Sequence, residues 1–392
     1  MIVKLRLEVD SLKIILLGAD EIGFETAKDL LNNNRIESIT VADDNEEKAH
    51  DVCRKLKSKK LASLKINAKN YVELENVLKA YDLLINTLSY EYIVPVAHAA
   101  IRAKIHALDR GGHLRYFTRF LFALHDNAEE AGVTYIPDLG VSPGVSNILT
   151  SYCARQFDSI DTIKIYAGSI PITSPQPLHH KHMFPISRLL EQYNDLSYVI
   201  QDGKRKYVPP LSGIEPIQIG NFPQLEAFYT AEGPSTLLQS FPKLKTYEHK
   251  TIRHPGHAEK MKLLKDLHLT RDDYSVFLSR TAKIKPKEFF LKIAGIHLSL
   301  QDEPDAVLLK IHMDGKKRND ELVQTIEFIC MKDQDISTYA TAYVIGTTLS
   351  IVAQMIIDGI ISEKGVIPPE KIVPSERFIE EMKKRKAIIH IY

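Results

Sequence analysis

Tryptophan is absent from the 392 residues, and cysteine occurs only three times. Cys53, Cys153 and Cys330 stand far apart with no CxxC pair, which excludes a disulfide framework and the usual zinc spacing. A reducing, cytoplasmic setting is the expectation that follows. An excess of charge of one sign is missing too, with 51 Lys plus Arg against 50 Asp plus Glu. No broad field would therefore draw the chain to nucleic acid or to a membrane surface, and a small-molecule partner is expected. Long apolar runs are scarce. The one candidate, Tyr339 to Ile361, is broken by Thr341, Thr347, Thr348, Gln354 and Asp358, and reads as a buried helix rather than a membrane span. The segment Met1 to Asp10 alternates apolar and charged residues and lacks the apolar core of a signal peptide. The chain is long enough for two domains, one inserted in the other.

Near the N-terminus an apolar strand, Lys13 to Leu17, runs into Gly18-Ala19-Asp20-Glu21-Ile22-Gly23 and then into a helix-like stretch, Phe24 to Leu31. Strand, glycine turn and helix in that order mark a dinucleotide site: the turn lets backbone approach a pyrophosphate, and the helix N-terminus offers unpaired N–H groups. Asp20 occupies the middle of this turn, where a carboxylate would repel phosphate. Repeated strand and helix segments follow. The strands Ser38 to Ala42, Ala62 to Ile66, Asp82 to Asn86, Ile105 to Leu108 and Thr134 to Ile136 alternate with helical patterns, one of them opening at Asn45 as a cap. This is the grammar of a Rossmann-type, doubly wound parallel sheet, whose ligands lie beyond the carboxyl ends of the strands. Gly18, Asp43, Thr87, Asp109 and Asp138 all fall at that edge.

From Thr162 the pattern changes to strands with tight turns, Gln201-Asp202-Gly203-Lys204 among them. Later strands are expected at Glu288 to Ile296 and Ala306 to Met313, the second ending in the turn Asp314-Gly315. An inserted α+β substrate and dimerisation domain over 146–336 follows from this, with 337–392 returning to the first domain through the helix Thr338 to Ile361 and ending in a tail.

Motifs along nearly the whole chain resemble the saccharopine dehydrogenase and lysine 6-dehydrogenase family. They are the glycine turn, Asn86-Thr-Leu-Ser-Tyr90, Leu108-Asp-Arg-Gly-Gly112, Asp138-Leu-Gly-Val-Ser-Pro-Gly-Val-Ser-Asn147, Lys250-Thr-Ile-Arg-His-Pro-Gly-His-Ala-Glu-Lys260 and Gly365-Val-Ile-Pro-Pro-Glu370. The resemblance implies a nicotinamide-binding Rossmann domain, an inserted substrate domain, NAD(P)-dependent oxidation of an amino acid's C–N bond or the reverse reaction, and a homodimer or higher homo-oligomer. The Thr-Ile-Arg-His-Pro-Gly-His stretch is similar to lysine 6-dehydrogenase in particular. The chain departs from the family pattern at Asp20, Ser89, Arg110 and Glu232. Those departures suit a second reading, a degenerate member that binds a metabolite or a partner with weak or no coenzyme binding.

The candidate coenzyme residues are Gly18, Asp20, Glu21, Ile22, Gly23, Asp43, Asp44, Thr87 and Leu88. Asp43 either accepts hydrogen bonds from a ribose diol, which favours NAD over NADP, or caps a helix. Asp109, Asp138 and His257 are the candidate acid–base groups, since an amine must lose a proton before hydride leaves. Asp138 serves equally as a cap. Tyr90, Arg253, Ser235 and Thr236 are candidate substrate contacts, with Arg253 offering a planar fork that matches an α-carboxylate. A substrate with a second carboxylate would need a further cation, for which Arg110, Lys181 and Arg188 are available. No metal site is expected: the pair His254 and His257 has no third ligand at the usual spacing, and His179, His180 and His182 lie in a proline-bounded loop of the kind that is a solvated surface.

Overall fold

The computed structural model describes residues 12–112, 115–181, 186–231, 234–298 and 303–392. The readings made on Met1 to Asp10, His182 and Glu232 lie outside these described residues, as does the side chain of Arg188. The chain forms two compact units. One runs to Val145 and resumes over Ala342–Phe378; the other comprises Ser146–Thr341 and Ile379–Tyr392.

In the first unit, strands β1 (Leu12–Leu17), β2 (Ile36–Asp43), β3 (Leu61–Lys65), β4 (Leu83–Asn86), β5 (His106–Asp109) and β6 (Thr134–Ile136) alternate with helices α1 (Glu21–Leu30), α2 (Glu46–Leu56), α3 (Tyr71–Leu78), α4 (Ile93–Ala103), α5 (Arg115–Phe122) and α6 (His125–Ala131). The apolar runs that looked like strands are buried on both faces, as a helix-covered parallel sheet requires: Ile14, Ile15, Leu16 and Leu17 are all 0% exposed. The order across the sheet reverses between β1 and β4, and all its pairings are parallel. Asn45 caps α2 as expected, accepting from the Glu47 and Lys48 amides.

The second unit opens with α7 (Val145–Ala154) and β7 (Ser159–Pro171), followed by α8 (Ile186–Asn194), β8 (Ser197–Gln201), β9 (Lys204–Val208), β10 (Glu215–Ile217), β11 (Leu225–Tyr229), α9 (Leu237–Ser240), β12 (Thr246–Arg253) and α10 (His257–Asp266). A short hairpin, β13 (Val276–Phe277) and β14 (Lys283–Ile284), precedes α11 (Pro286–His297), and the long strands β15 (Asp305–Lys317) and β16 (Asp320–Met331) complete it. Its nine-stranded sheet is mostly antiparallel, with β12 parallel to β7.

Two sequence expectations fail in this unit. The stretch Glu288 to Ile296 is helix, not strand. Pro286 opens it at a position where a missing N–H costs nothing, and Ala294 and Leu298 are buried in a cluster against which Phe290 and Leu291 pack, a helical rather than an alternating pattern. Asp314-Gly315 is not a turn either. β15 runs through it, because a side chain at Gly315 would lie 2.1 Å from the Ser159 carbonyl oxygen, so glycine is there for close strand packing. The reversal comes at Arg318-Asn319, both with positive φ (49° and 71°), the geometry of a two-residue hairpin turn.

The chain then enters α12 (Ala340–Ile357), whose N-terminal amide at Ala340 is capped by both oxygens of Asp305 at 3.1 and 3.0 Å. This helix is long and apolar enough to cross a membrane by composition, yet 72% of it is buried inside the protein. In the first unit it packs on α1: Ser350 donates to Asp29 at 2.5 Å, and Gly346 is pressed against Glu25 and Thr26. After β17 (Gly365–Val366), α13 (Pro369–Ile372) and α14 (Ser375–Lys384), the last strand β18 (Ile388–Ile391) pairs with β16. The end of the chain, expected as a tail on the first domain, therefore belongs to the second unit's sheet.

Candidate functional site

In the first unit the carboxyl ends of the strands converge through backbone bonds: Gly18 N donates to Ala42 O at 2.8 Å, and Thr87 N to Leu17 O at 2.8 Å. Gly18 has φ +105°, and a Cβ there would lie 2.3 Å from Thr87 Oγ1; a Cβ on Gly23 would lie 2.1 Å from Gly18 O. The turn thus has the shape of a pyrophosphate cradle. Its donors are spent otherwise. Asp20 is the N-cap of α1, and its carboxylate Oδ1 accepts from Ile22 N at 3.1 Å and Gly23 N at 3.0 Å. The residues present therefore fit a coenzyme in backbone shape but not, as they stand, at the phosphate. Burial raises the Asp20 pKa, and the nearby charge of Arg110 opposes that rise. Arg110 is tethered by its Nε to Leu88 O at 3.1 Å. Glu21 and Asp44 are exposed, and the Thr87 hydroxyl is buried, donating to Leu17 O at 2.9 Å. Leu88 N donates to Asn86 Oδ1 at 3.0 Å.

Asp43 is committed as well. Its Oδ2 accepts from Ala19 N at 2.9 Å and its Oδ1 from Asn45 N at 2.9 Å, so the carboxylate ties the glycine turn to the start of α2.

Three of the catalytic and substrate candidates do come together beyond β5 and β6. Asp109 is fully buried and accepts from Gly111 N at 2.6 Å, Asp138 N at 3.0 Å and Tyr135 OH at 2.6 Å. Burial pushes the Asp109 pKa up, and burial beside Asp109 raises Tyr135 well above its ordinary value. Three donors on a carboxyl that solvent does not reach make Asp109 a brace between two loops. Tyr135 supplies one of those donors and was missed, because nothing in the spacing of a short strand links it to a residue 26 positions earlier. Asp138 is left-handed (φ +60°), and its Oδ1 lies so near Gly111 that a Cβ there would be 2.5 Å away. Tyr90 is half-buried beside Gly112, whose added Cβ would sit 3.5 Å from Tyr90 Cβ.

In the second unit Arg253 ends β12, opposite Glu226 of β11. It is 3% exposed, donates from Nη1 to Ile252 O at 2.8 Å, and its buried Nε has no partner. Glu226 does not pair with it: the two Glu226 oxygens accept from Gly256 N (2.8 Å) and Ala258 N (2.7 Å), capping α10. Among the described residues no carboxylate forms an ion pair with Arg253. Thr251 and Thr230 share a hydrogen bond at 2.8 Å, and the fully buried Thr236 accepts from Asn147 Nδ2 at 3.0 Å. Ser235 beside it is half-buried with φ +47°. Lys181 is turned to His297 O at 3.2 Å.

His257 is not a proton shuttle. It is fully buried, its Nδ1 is bonded to Leu178 O (2.7 Å) and its Nε2 to Tyr193 OH (2.9 Å), and Phe228 and Tyr193 pack against the ring. Desolvation, with Arg253 adding repulsion, lowers its pKa to about 3, so it is neutral at every ordinary pH. Its Nδ1 carries the proton given to Leu178 O, and Nε2 accepts from Tyr193. His254 is likewise buried and bonded to Pro171 O at 2.8 Å.

Two family models cover the chain: the saccharopine dehydrogenase NADP binding domain over residues 14–136 and the saccharopine dehydrogenase C-terminal domain over residues 140–388. The chain belongs to the saccharopine dehydrogenase family. The alpha-aminoadipic semialdehyde synthase of Bos taurus is 25% identical over 305 residues, covering 73% of this chain and 32% of the relative. The chain thus spans 32% of the length of the first curated relatives it matches. Carboxynorspermidine synthase of Vibrio alginolyticus is 22% identical over 395 residues and is covered to 94% on both sides. A solved saccharopine dehydrogenase (L-Glu forming) from Saccharomyces cerevisiae has the same fold, with a TM-score of 0.80 at 18% identity, over 97% of this chain and 100% of the other. The family domain is an NADP-binding one, and the fungal saccharopine dehydrogenases among the relatives are NADP(+) enzymes by name. This overturns the NAD expectation that Asp43 had carried.

Proposed function

We propose that the chain is an NADP-dependent oxidoreductase acting on the C–N bond of an amino acid of the saccharopine type. The observation that carries this is Arg253. A guanidinium 3% exposed, with a partnerless Nε and no ion pair among the described residues, while Glu226 opposite it is bonded to the Gly256 and Ala258 amides, gains when an anion joins it. Its planar fork matches the carboxylate that every amino-acid substrate carries. Thr230, Thr251, Thr236 and Asn147 lie on the same or neighbouring segments and supply neutral hydrogen-bonding groups of the kind such a substrate needs. The relatives named above are synthases and dehydrogenases, which favours an enzyme over the binding-protein reading. The match to carboxynorspermidine synthase over 94% of both chains favours carboxynorspermidine as the second substrate class.

The test is turnover at saturating coenzyme. Purified protein with NADP and saccharopine is expected to form reduced nicotinamide, and with NADPH and carboxynorspermidine's precursors to consume it if the second reading holds. Absence of coenzyme-linked turnover with either class would remove the proposal.

A further inference from the structure

Two of the departures from the family pattern in the first unit, Asp20 and Arg110, are electrostatic neighbours although they lie 90 positions apart. An ordinary glycine turn leaves the amides at the second and third positions of its helix open to a phosphate. Here those amides, Ile22 and Gly23, are bonded at 3.1 and 3.0 Å to one oxygen of Asp20. The backbone remains that of a cradle: Phe24 N closes the first helical turn on Asp20 O at 2.9 Å, and Gly18 and Gly23 keep their close approach. Arg110 follows β5, its backbone N bonded to Asn86 O at 3.2 Å and its Nε to Leu88 O at 3.1 Å, which fixes the guanidinium near enough for its charge to act on Asp20.

We propose that the Asp20 carboxylate stands in for the coenzyme's phosphate, so that coenzyme enters only in exchange for it, and that Arg110 is the cation handed from Asp20 to the incoming pyrophosphate. This rests on the NADP reading above. Asp20 then works in opposite directions on two properties. It stabilises the coenzyme-free protein as an N-cap, and it weakens coenzyme binding by holding two donors and placing a negative charge where another must sit. A residue that merely shapes the turn would not move stability and affinity in opposite senses.

NADPH binding by titration calorimetry and thermal unfolding of the coenzyme-free protein, both on the full chain, decide it. Asp20→Gly is expected to lower the melting temperature and to bind NADPH at least about tenfold more tightly than wild type. Asp20→Asn, which keeps a capping oxygen without the charge, is expected to fall between them and serves if the glycine variant does not fold. Arg110→Gln in the Asp20→Gly background is expected to weaken binding again, since the cation by then serves the phosphate. Equal affinity in wild type, Asp20→Asn and Asp20→Gly would overturn the exchange while leaving the NADP reading intact. No NADPH binding by any variant would overturn the NADP reading, and the exchange with it. An unchanged affinity on adding Arg110→Gln would remove Arg110 from the role.

Discussion

His257 shows how far a residue's type can mislead about its work. A histidine next to a conspicuous Arg-His pair invites a proton-transfer role, yet this ring has no solvent and both nitrogens are bonded inside the core. Its pKa is lowered to about 3, against an unfolded value near 6.5. A depressed histidine pKa means that the unfolded chain binds the extra proton first. The stability His257 supplies is therefore complete above about pH 6.5 and drains away as pH falls toward its folded value. Since glutamine does not titrate, the stability difference between wild type and His257→Gln, measured by urea unfolding, is expected to be largest at pH 7 to 8 and to shrink steadily on acidification to pH 4. A difference independent of pH would mean that the imidazole binds protons equally in the folded and unfolded states and would contradict the lowered pKa. Asp109 teaches the same lesson for carboxylates: its position at the end of β5 was readable, but its three internal donors were not.

At the scale of elements, local chemistry written in the sequence carried well. The βα alternation, the Asn45 cap and the glycine turn depend on residues within a few positions of each other, and each lies where its pattern places it. Failures came where tertiary contact decides. Phe289, Phe290, Leu291, Ile293 and Ile296 supply a strand-like density of bulky residues, and only the burial of Ala294 and Leu298 on one side of α11 shows the helical period at work. Asp314-Gly315 carries turn chemistry but was held straight by a neighbouring strand. The same contact logic distinguishes glycines. Gly23→Ala drives a Cβ to 2.1 Å from the Gly18 carbonyl oxygen and is expected to cost about 1–3 kcal/mol or more, because backbone must move. At Gly203 a Cβ meets nothing within 4 Å, and with φ +70° the substitution is expected to cost only the penalty of left-handed backbone, about 1 kcal/mol. Thermal unfolding of the two alanine variants checks this; equal losses would show that the crowding at Gly23 is relieved without cost.

Over the whole molecule, the chain divides into two units after Val145, while the sequence pattern changes only from Thr162, and the return of Ile379–Tyr392 to the second unit was not legible. A terminal strand declares its partner only through register, here Ile326 to Ile329 of β16 against Ile388 to Ile391. The choice of coenzyme was similarly hidden: an acid at the end of β2 points to NAD by spacing, whereas the family domain is an NADP-binding one. Arg253 as a fork for a carboxylate is the proposal still to be tested; the structure shows it buried, with its Nε unpartnered. Losing one partner of a buried, charge-assisted pair costs about 2–5 kcal/mol, which is roughly thirtyfold or more in rate. The decisive measurement is kcat/KM for NADP-linked oxidation of saccharopine by wild type and Arg253→Ala, with NADPH affinity and circular dichroism recorded alongside. A fall of at least about thirtyfold with fold and NADPH affinity intact is the expected result; a kcat/KM equal to that of wild type would contradict the assignment of Arg253 as the substrate's carboxylate anchor.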